Sequence, residues 1–181
     1  MSRADRIERM KYPNVETKVL DIDVEPLTAR MRGIGAKEVF NAERTITHLD
    51  DGTGRLRGKN LKLTEEDKLK LSIDTNEEHS TVKLFVSRKA ECIDMLAELG
   101  IHPVAVTRAR RTSFEWEGVD FDIDQFPGIP PFLEVDVAES AHTLEEVLAT
   151  LELEGKEHGM LSTPQIYERY GLNYFEQFKA A

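Results

Sequence analysis

The chain has 181 residues, with 24 Lys and Arg against 34 Asp and Glu, a formal net charge of -10 at pH 7 and a single cysteine, Cys92. A field of that sign repels phosphate backbones, which excludes a general nucleic-acid binder and leaves the basic residues to be read locally. One cysteine excludes an intrachain disulfide and a cysteine-cluster metal site, and no apolar run reaches membrane-spanning length.

Met1 to Lys11 is charged and lacks the hydrophobic stretch of a signal peptide, so a cytoplasmic location is expected. The length suits a single domain over 1–181, with a core of about 12–173. In the first predicted strand, 14–21, Asn14, Glu16 and Lys18 alternate with Val15 and Val19, giving one charged and one apolar face. A helix over Pro26 to Met31, ending near Gly33 or Gly35, turns Leu27 and Met31 inward. Strands follow at 43–49, 55–64, 67–74 and 80–87. In them Asn60, Lys62 and Thr64 oppose Leu61 and Leu63, Lys68 and Lys70 are in phase, and Lys83 adds a further cation. A second helix, Arg88 to Leu99, stops at Gly100 and carries Ile93, Leu96 and Ala97 on its apolar side; Cys92 there reads as a small buried hydrophobe. Strand 104–114 puts Arg108 and Arg110 in phase. In strand 117–125, Asp120, Asp122 and Asp124 oppose Val119, Phe121 and Ile123, and in strand 132–138 Glu134 and Asp136 alternate with Leu133, Val135 and Val137. Thr143 to Glu146 has capping-box spacing and opens a third helix reaching about Leu151. A fourth starts at Ser162 or Thr163, with Pro164 at its first position, and ends at Gly171.

About eight strands with a few helices make an α+β fold, and that strand number suits a closed or nearly closed antiparallel barrel. Either the apolar faces fill the barrel, or helices cover an apolar outside and the charged faces line a tunnel. Any one of these strands could be an ordinary sheet strand with a solvated face. Collectively, carboxylates gather on some strands and Lys or Arg on others, which suits a site where an oxygen-ligated divalent metal meets polyphosphate. The other conspicuous residues have plainer readings. His48 reads as a solvated or hydrogen-bonded histidine rather than a general base. His79, His102, His142 and His158 lack metal-ligand spacing, Asp50 to Gly54 is a hairpin turn, and Pro127 to Pro131 is a stiff connection. Trp116 does not by itself make a nucleic-acid stacking platform.

Asn14-Val15-Glu16-Thr17-Lys18 resembles the Glu-x-Glu-x-Lys signature of the CYTH superfamily, which holds class IV adenylate cyclases, thiamine triphosphatases and inorganic triphosphatases. Val19 to Lys37 is similar to that family's first strand and helix, Arg108-Ala109-Arg110 to its basic strand, and Asp122 to Asp136, with Gly128 and Phe132-Leu133-Glu134-Val135-Asp136, to its acidic ending. Tyr167 to Leu172 is similar to the tail of the cyclase-like branch. The resemblance covers most of 12–173. It implies a triphosphate tunnel inside an eight-stranded antiparallel barrel with flanking helices. In that tunnel Lys18, Lys62, Lys68, Lys70, Lys83, Arg108 and Arg110 would bind phosphates, and Glu16, Asp124, Glu134 and Asp136 would hold Mg2+ or Mn2+. Glu16 and Lys18 would be the catalytic pair. The implied reaction is conversion of ATP to cyclic AMP and pyrophosphate, or else hydrolysis of inorganic or thiamine triphosphate. The implied partner is a triphosphate-containing small molecule, not nucleic acid or a membrane, and the assembly a homodimer.

The chain departs from the pattern where Asn14 stands for the first glutamate, Asp136 for a glutamate, and Leu61-Lys62-Leu63-Thr64 for Leu-Arg-x-Arg. A lysine cannot reproduce the planar bidentate grip of arginine, so altered turnover is expected. The missing first carboxylate argues against a second metal ion. These departures also motivate a non-catalytic polyphosphate or nucleotide binder as a third reading.

Overall fold

A computed structural model of the protein describes residues 8–10, 16–56, 59–75 and 80–180. Asn14 and His79, both weighed in the sequence, lie outside the described residues. In chain order the elements are β1 (Glu8–Met10), β2 (Glu16–Val19), α1 (Val24–Gly33), β3 (Lys37–Asp50), β4 (Lys59–Glu65), β5 (Leu69–Thr75), β6 (Ser80–Val86), α2 (Lys89–Glu98), β7 (His102–Trp116), β8 (Val119–Gln125), β9 (Phe132–Asp136), α3 (Leu144–Thr150), β10 (His158–Gly159), α4 (Thr163–Arg169) and α5 (Tyr174–Gln177). Every predicted strand and helix has its counterpart. β1, β10 and α5 are additions, each too short to show a hydrophobic period.

The elements form two compact units. The first takes 44–108 and 174–180 together with β1, the second 16–43 and 109–173. In the first unit, antiparallel strands run in the order β1-β6-β5-β4-β3. Leu49 and Leu63 pack with Cys92 and Leu96 of α2, so the helix lies on the apolar face, as the alternation of β4 requires. The opposite face carries a cross-strand row of His48, Lys62, Ser72 and Lys83. The C-terminal segment binds this unit, with Val106 N donating to Phe178 O and Ala180 N to Val104 O.

The second unit orders its strands β7-β8-β9-β2-β10. Val19, Leu133, Val135, Val119, Phe121, Ile123 and Phe114 form one core with Leu27 and Met31 of α1 and Val147, Leu148 and Leu151 of α3. Each large apolar side chain fully buried there contributes about 1.5–3 kcal/mol. Here too the helices cover the apolar face and leave the carboxylate-bearing face uncovered by them. Thr143 with Glu146, and Ser162 with Gln165, close reciprocal capping boxes that start α3 and α4 at the expected residues. Gly118 turns β7 into β8 at φ +82, where a Cβ would come within 2.6 Å of Glu139 O, so only glycine fits the hairpin.

Among the described residues the sheet is antiparallel and open, with ten strands rather than a closed set of eight. Among the described residues, β1 and β10 each pair on one side only. They occupy the free edges of β6 and β2, the edges a closing ladder would need. No helix of the described residues is long and apolar enough to cross a membrane.

Candidate functional site

The register of the second unit sets its polar side chains in cross-strand rows. Glu16 lies opposite Asp136, Asp136 opposite Asp120, and Asp120 opposite Glu115. The next row reads Lys18, Glu134, Asp122 and Ser113, and Asp124 faces Arg111 one step further. Two cations organise these rows. Lys18 Nζ donates to Glu16 Oε1 at 2.5 Å and stands 3.6 Å from Glu134 Oε2. Arg111 grips Asp124 with one edge of its guanidinium, Nε to Oδ1 at 2.7 Å and Nη2 to Oδ2 at 2.6 Å; it also donates through Nη2 to Glu134 Oε2 at 3.1 Å and through Nη1 to Asp122. Ser113 Oγ donates to the other Asp122 oxygen at 2.5 Å. Glu134 thus bridges the ammonium and the guanidinium.

Burial and crowding shift these groups. Desolvation, then the charge of Glu134 and a hydrogen bond to it, push the Glu16 carboxyl up to about 7 against the counter-pull of Lys18. Burial works to lower the Lys18 ammonium, but Glu134 and Glu16 more than offset it and hold it above its ordinary value. Arg111 is likewise opposed by burial and held well above its usual range by Asp124, Glu134 and Asp122. Asp122 is raised chiefly by burial, with Arg111 pulling the other way. Asp120 is raised by burial and by its acidic neighbours Glu115 and Asp136.

Of the residues singled out in the sequence, Glu16, Lys18, Glu134 and Asp124 are brought into this one network through Lys18 and Arg111. Asp136 stands beside them in register, its Oδ1 accepting from Ala138 N at 2.9 Å. Arg110 is on the other side of β7, exposed, with Nη2 donating to Asn41 Oδ1 at 2.5 Å. The guanidinium inside the cluster belongs to Arg111. The signal was present in the sequence: counting back from Phe114, which must join the apolar face with Phe121, alternation sends Arg111 to the charged face and Arg110 away from it.

In the first unit Lys62 pairs with Asp74 at 2.9 Å, and Lys70 with Glu66 at 2.8 Å, a carboxylate that also contacts Arg44 at 3.2 Å. Lys83 lies in the same cross-strand row as Lys62 and is exposed, and Arg108 is an exposed residue of β7. Lys68 is not in phase with Lys70 on a strand. β5 begins at Leu69, and Lys68 sits on the preceding bend with Nζ 5.5 Å from the centre of the Phe85 ring. His48 is buried and hydrogen-bonded, as read, and burial followed by the Lys62 charge pushes its imidazole down to about 4. Asp50 and Asp51 accept backbone donors from Gly52 and Thr53, the geometry of a turn.

Among the described residues no group of three or more His, Cys, Asp or Glu side chains converges as a metal site. The close Glu16 and Glu134 pair nonetheless fits a hard divalent cation by its donor chemistry, since Mg2+ commonly takes one or two carboxylates and keeps several waters. The linkage has a defined sign. A carboxyl raised from 4.5 to about 7 contributes stability that is fully present below 4.5 and lost as pH rises through 7. His48, lowered from 6.5 to about 4, contributes stability that is present above 6.5 and lost as pH falls toward 4. The two slopes oppose one another between about 4.5 and 6.5, so Glu16 is isolated by difference. Relative to Glu16→Gln, the metal-free protein is expected to lose stability from pH 5 to 7.5, and Mg2+ to remove that difference in slope. Urea titrations across that range check it, and parallel pH profiles for the two proteins in the absence of metal would refute the raised carboxyl.

No protein-family model and no curated protein matches the chain. Solved structures do. A candidate adenylate cyclase from Vibrio parahaemolyticus aligns at TM-score 0.62 and 16% identity, covering 92% of this chain and 91% of that one. The PH1819 protein of Pyrococcus horikoshii aligns at TM-score 0.65 and 14% identity over 86% and 97%. This chain has their fold. A third structure sharing it, at TM-score 0.57 and 14% identity over 87% and 96%, is a candidate adenylyl cyclase from Hippeastrum described as revealing a dominant triphosphatase activity. The CYTH resemblance read in the sequence is consistent with these neighbours.

Proposed function

We propose that the protein is a divalent-metal-dependent enzyme of the CYTH type that binds the triphosphate chain of a small molecule and cleaves it. The observation that carries this reading is the charged face of the second unit, where Lys18 and Arg111 are interleaved with Glu16, Glu134, Asp122 and Asp124. Phosphoryl and nucleotidyl transfer need little covalent help from a protein and depend on positioning and on charges set against the developing negative charge. Lys18 offers an ammonium to a phosphate oxygen, and Arg111 braces the carboxylates around it. Glu16 would accept a proton from the attacking hydroxyl or water through a carboxylate oxygen left free by the metal. Glu16 and Glu134 would hold Mg2+ or Mn2+, which when bound neutralises phosphate charge. That Lys62 and Lys70 also meet phosphate is what the CYTH resemblance implies for them.

Cyclisation of ATP is suggested by the names of the Vibrio and Hippeastrum neighbours and by the cyclase-like tail at Tyr167 to Leu172. Hydrolysis is favoured by the triphosphatase activity described for the Hippeastrum protein. Incubation with ATP and, separately, inorganic triphosphate, each with Mg2+ or Mn2+, decides between them. Cyclic AMP with pyrophosphate establishes a cyclase and orthophosphate a triphosphatase. Metal-dependent binding with no product means a polyphosphate binder, and absence of binding under every condition refutes the proposal.

A further inference from the structure

In the first unit a chain of hydrogen bonds, buried at Thr107, Tyr174 and His48 and part-buried from Asn60 onward, runs from the C-terminal segment to Lys62. Thr107 Oγ1 donates to the Tyr174 hydroxyl at 2.6 Å, Tyr174 contacts His48 Nε2 at 3.0 Å, and His48 Nδ1 contacts Asn60 Oδ1 at 3.1 Å. Asn60 Nδ2 then donates to Asp74 Oδ2 at 3.0 Å, the oxygen that also accepts from Lys62 Nζ at 2.9 Å, while Thr81 Oγ1 holds the other Asp74 oxygen at 2.9 Å. Only one order of protons satisfies every link. Asp74 accepts, so Asn60 must present its amide NH2 to Asp74 and its carbonyl oxygen to His48. His48 must then carry its proton on Nδ1 and leave Nε2 as an acceptor for the Tyr174 hydroxyl. The opposite tautomer would flip Asn60 and set its oxygen against a carboxylate. Tyr174 is 1% exposed, His48 5% and Thr107 0%, so no water stands in for a missing donor without cost. The rings add edge-to-face contacts, His48 with Tyr174 at 5.1 Å and with Phe175 at 5.5 Å.

We infer that Tyr174 is a positioning residue for Lys62: docking of segment 174–180 fixes the Tyr174–His48–Asn60–Asp74 chain, and that chain holds the Lys62 ammonium in place for an anionic ligand. The segment is anchored to the unit by the backbone bonds at Val104 and Val106, so the coupling runs both ways, and what loosens Lys62 loosens the C-terminal segment. That Lys62 meets phosphate rests on the function proposed above; the hydrogen-bond coupling itself does not.

The full chain is tested in three forms: wild type, Tyr174→Phe and Thr107→Val. Phenylalanine keeps the ring but removes the donor to His48. Valine removes a hydroxyl from the same cluster and leaves the Tyr174 bond to His48 intact. Nitrogen-15 NMR is expected to show neutral His48 protonated on Nδ1 in the wild type. Tyr174→Phe is expected to move the Lys62 ammonium resonance and weaken inorganic triphosphate binding about three- to tenfold, the scale of one buried hydrogen bond, whereas Thr107→Val does neither. A wild-type His48 protonated on Nε2, a Lys62 resonance unmoved by Tyr174→Phe, or an equal effect of Thr107→Val overturns the inference. If the wild type binds no triphosphate, the proposed function falls, and the Lys62 resonance alone still decides the coupling.

Discussion

Arg111→Ala is expected to destabilise the protein by about 3–5 kcal/mol, the usual effect of removing one partner from a buried ionic network. Asp124 is 1% exposed, and its two oxygens accept from Nε and Nη2 of Arg111; Asp122 and Glu134 lean on the same guanidinium. Alanine leaves these carboxylates crowded together with Lys18 as the nearby cation. Their recourse is to take up protons, so the loss is expected to be smaller at pH 5 than at pH 8. Arg111→Lys is expected to recover only part of it, because a point charge cannot satisfy the bidentate contact and the two further carboxylates together. Urea unfolding of the three proteins at both pH values measures this. A loss below about 1 kcal/mol for Arg111→Ala at pH 8 would mean that the network is solvated and that Arg111 is not its keystone.

The same strand shows how far the sequence could be read. Alternation placed Val119, Phe121 and Ile123 inward and Asp120, Asp122 and Asp124 on the charged face without ambiguity, because β8 is short and its pattern unbroken. β7 is harder. With Arg108, Arg110 and Arg111 close together, the pair at i and i+2 looks like the face, and only the register against β8 shows that Arg111 is opposite Asp124 while Arg110 is opposite Gln125. Lys68 misled for a related reason, since periodicity cannot show that the chain is still on a bend and that the strand has not begun.

Closure of the sheet was not legible at all. The strand count suited a barrel, but β1 and β10 supply edge strands of three and two residues, too short to carry a pattern. Nor was the His48 network legible, since its members come from β3, β4, β5, β6, β7 and α5 and meet only through tertiary packing. The carboxylate and ammonium of Glu16 and Lys18 were readable because they are two residues apart on one strand, where same-face geometry is automatic.

Lys18→Met is expected to reduce kcat/KM for the triphosphate by about 10²–10³, the effect of removing one preorganised charge from a transition-state site, or roughly 2.7–4 kcal/mol. Methionine keeps most of the length and apolar contact of the lysine stem, so the substitution tests the ammonium rather than the packing. Its signature differs from that of Arg111. Lys18 holds down the Glu16 carboxyl, and without it Glu16 takes up its proton at higher pH, shared with Glu134, so the pair stays tolerable in the fold. Stability near pH 6 is therefore expected to change little while the acidic limb of the rate profile moves upward. A divalent cation would compete with that proton, and higher Mg2+ is expected to return the limb toward its original position without restoring the full rate. Should Lys18→Met lose stability on the scale of Arg111→Ala while keeping its rate, the ammonium is a structural counterion and the chemistry lies elsewhere. Should the rate fall with no movement of the pH limb, Lys18 contacts the phosphate but Glu16 is not the group that takes the proton.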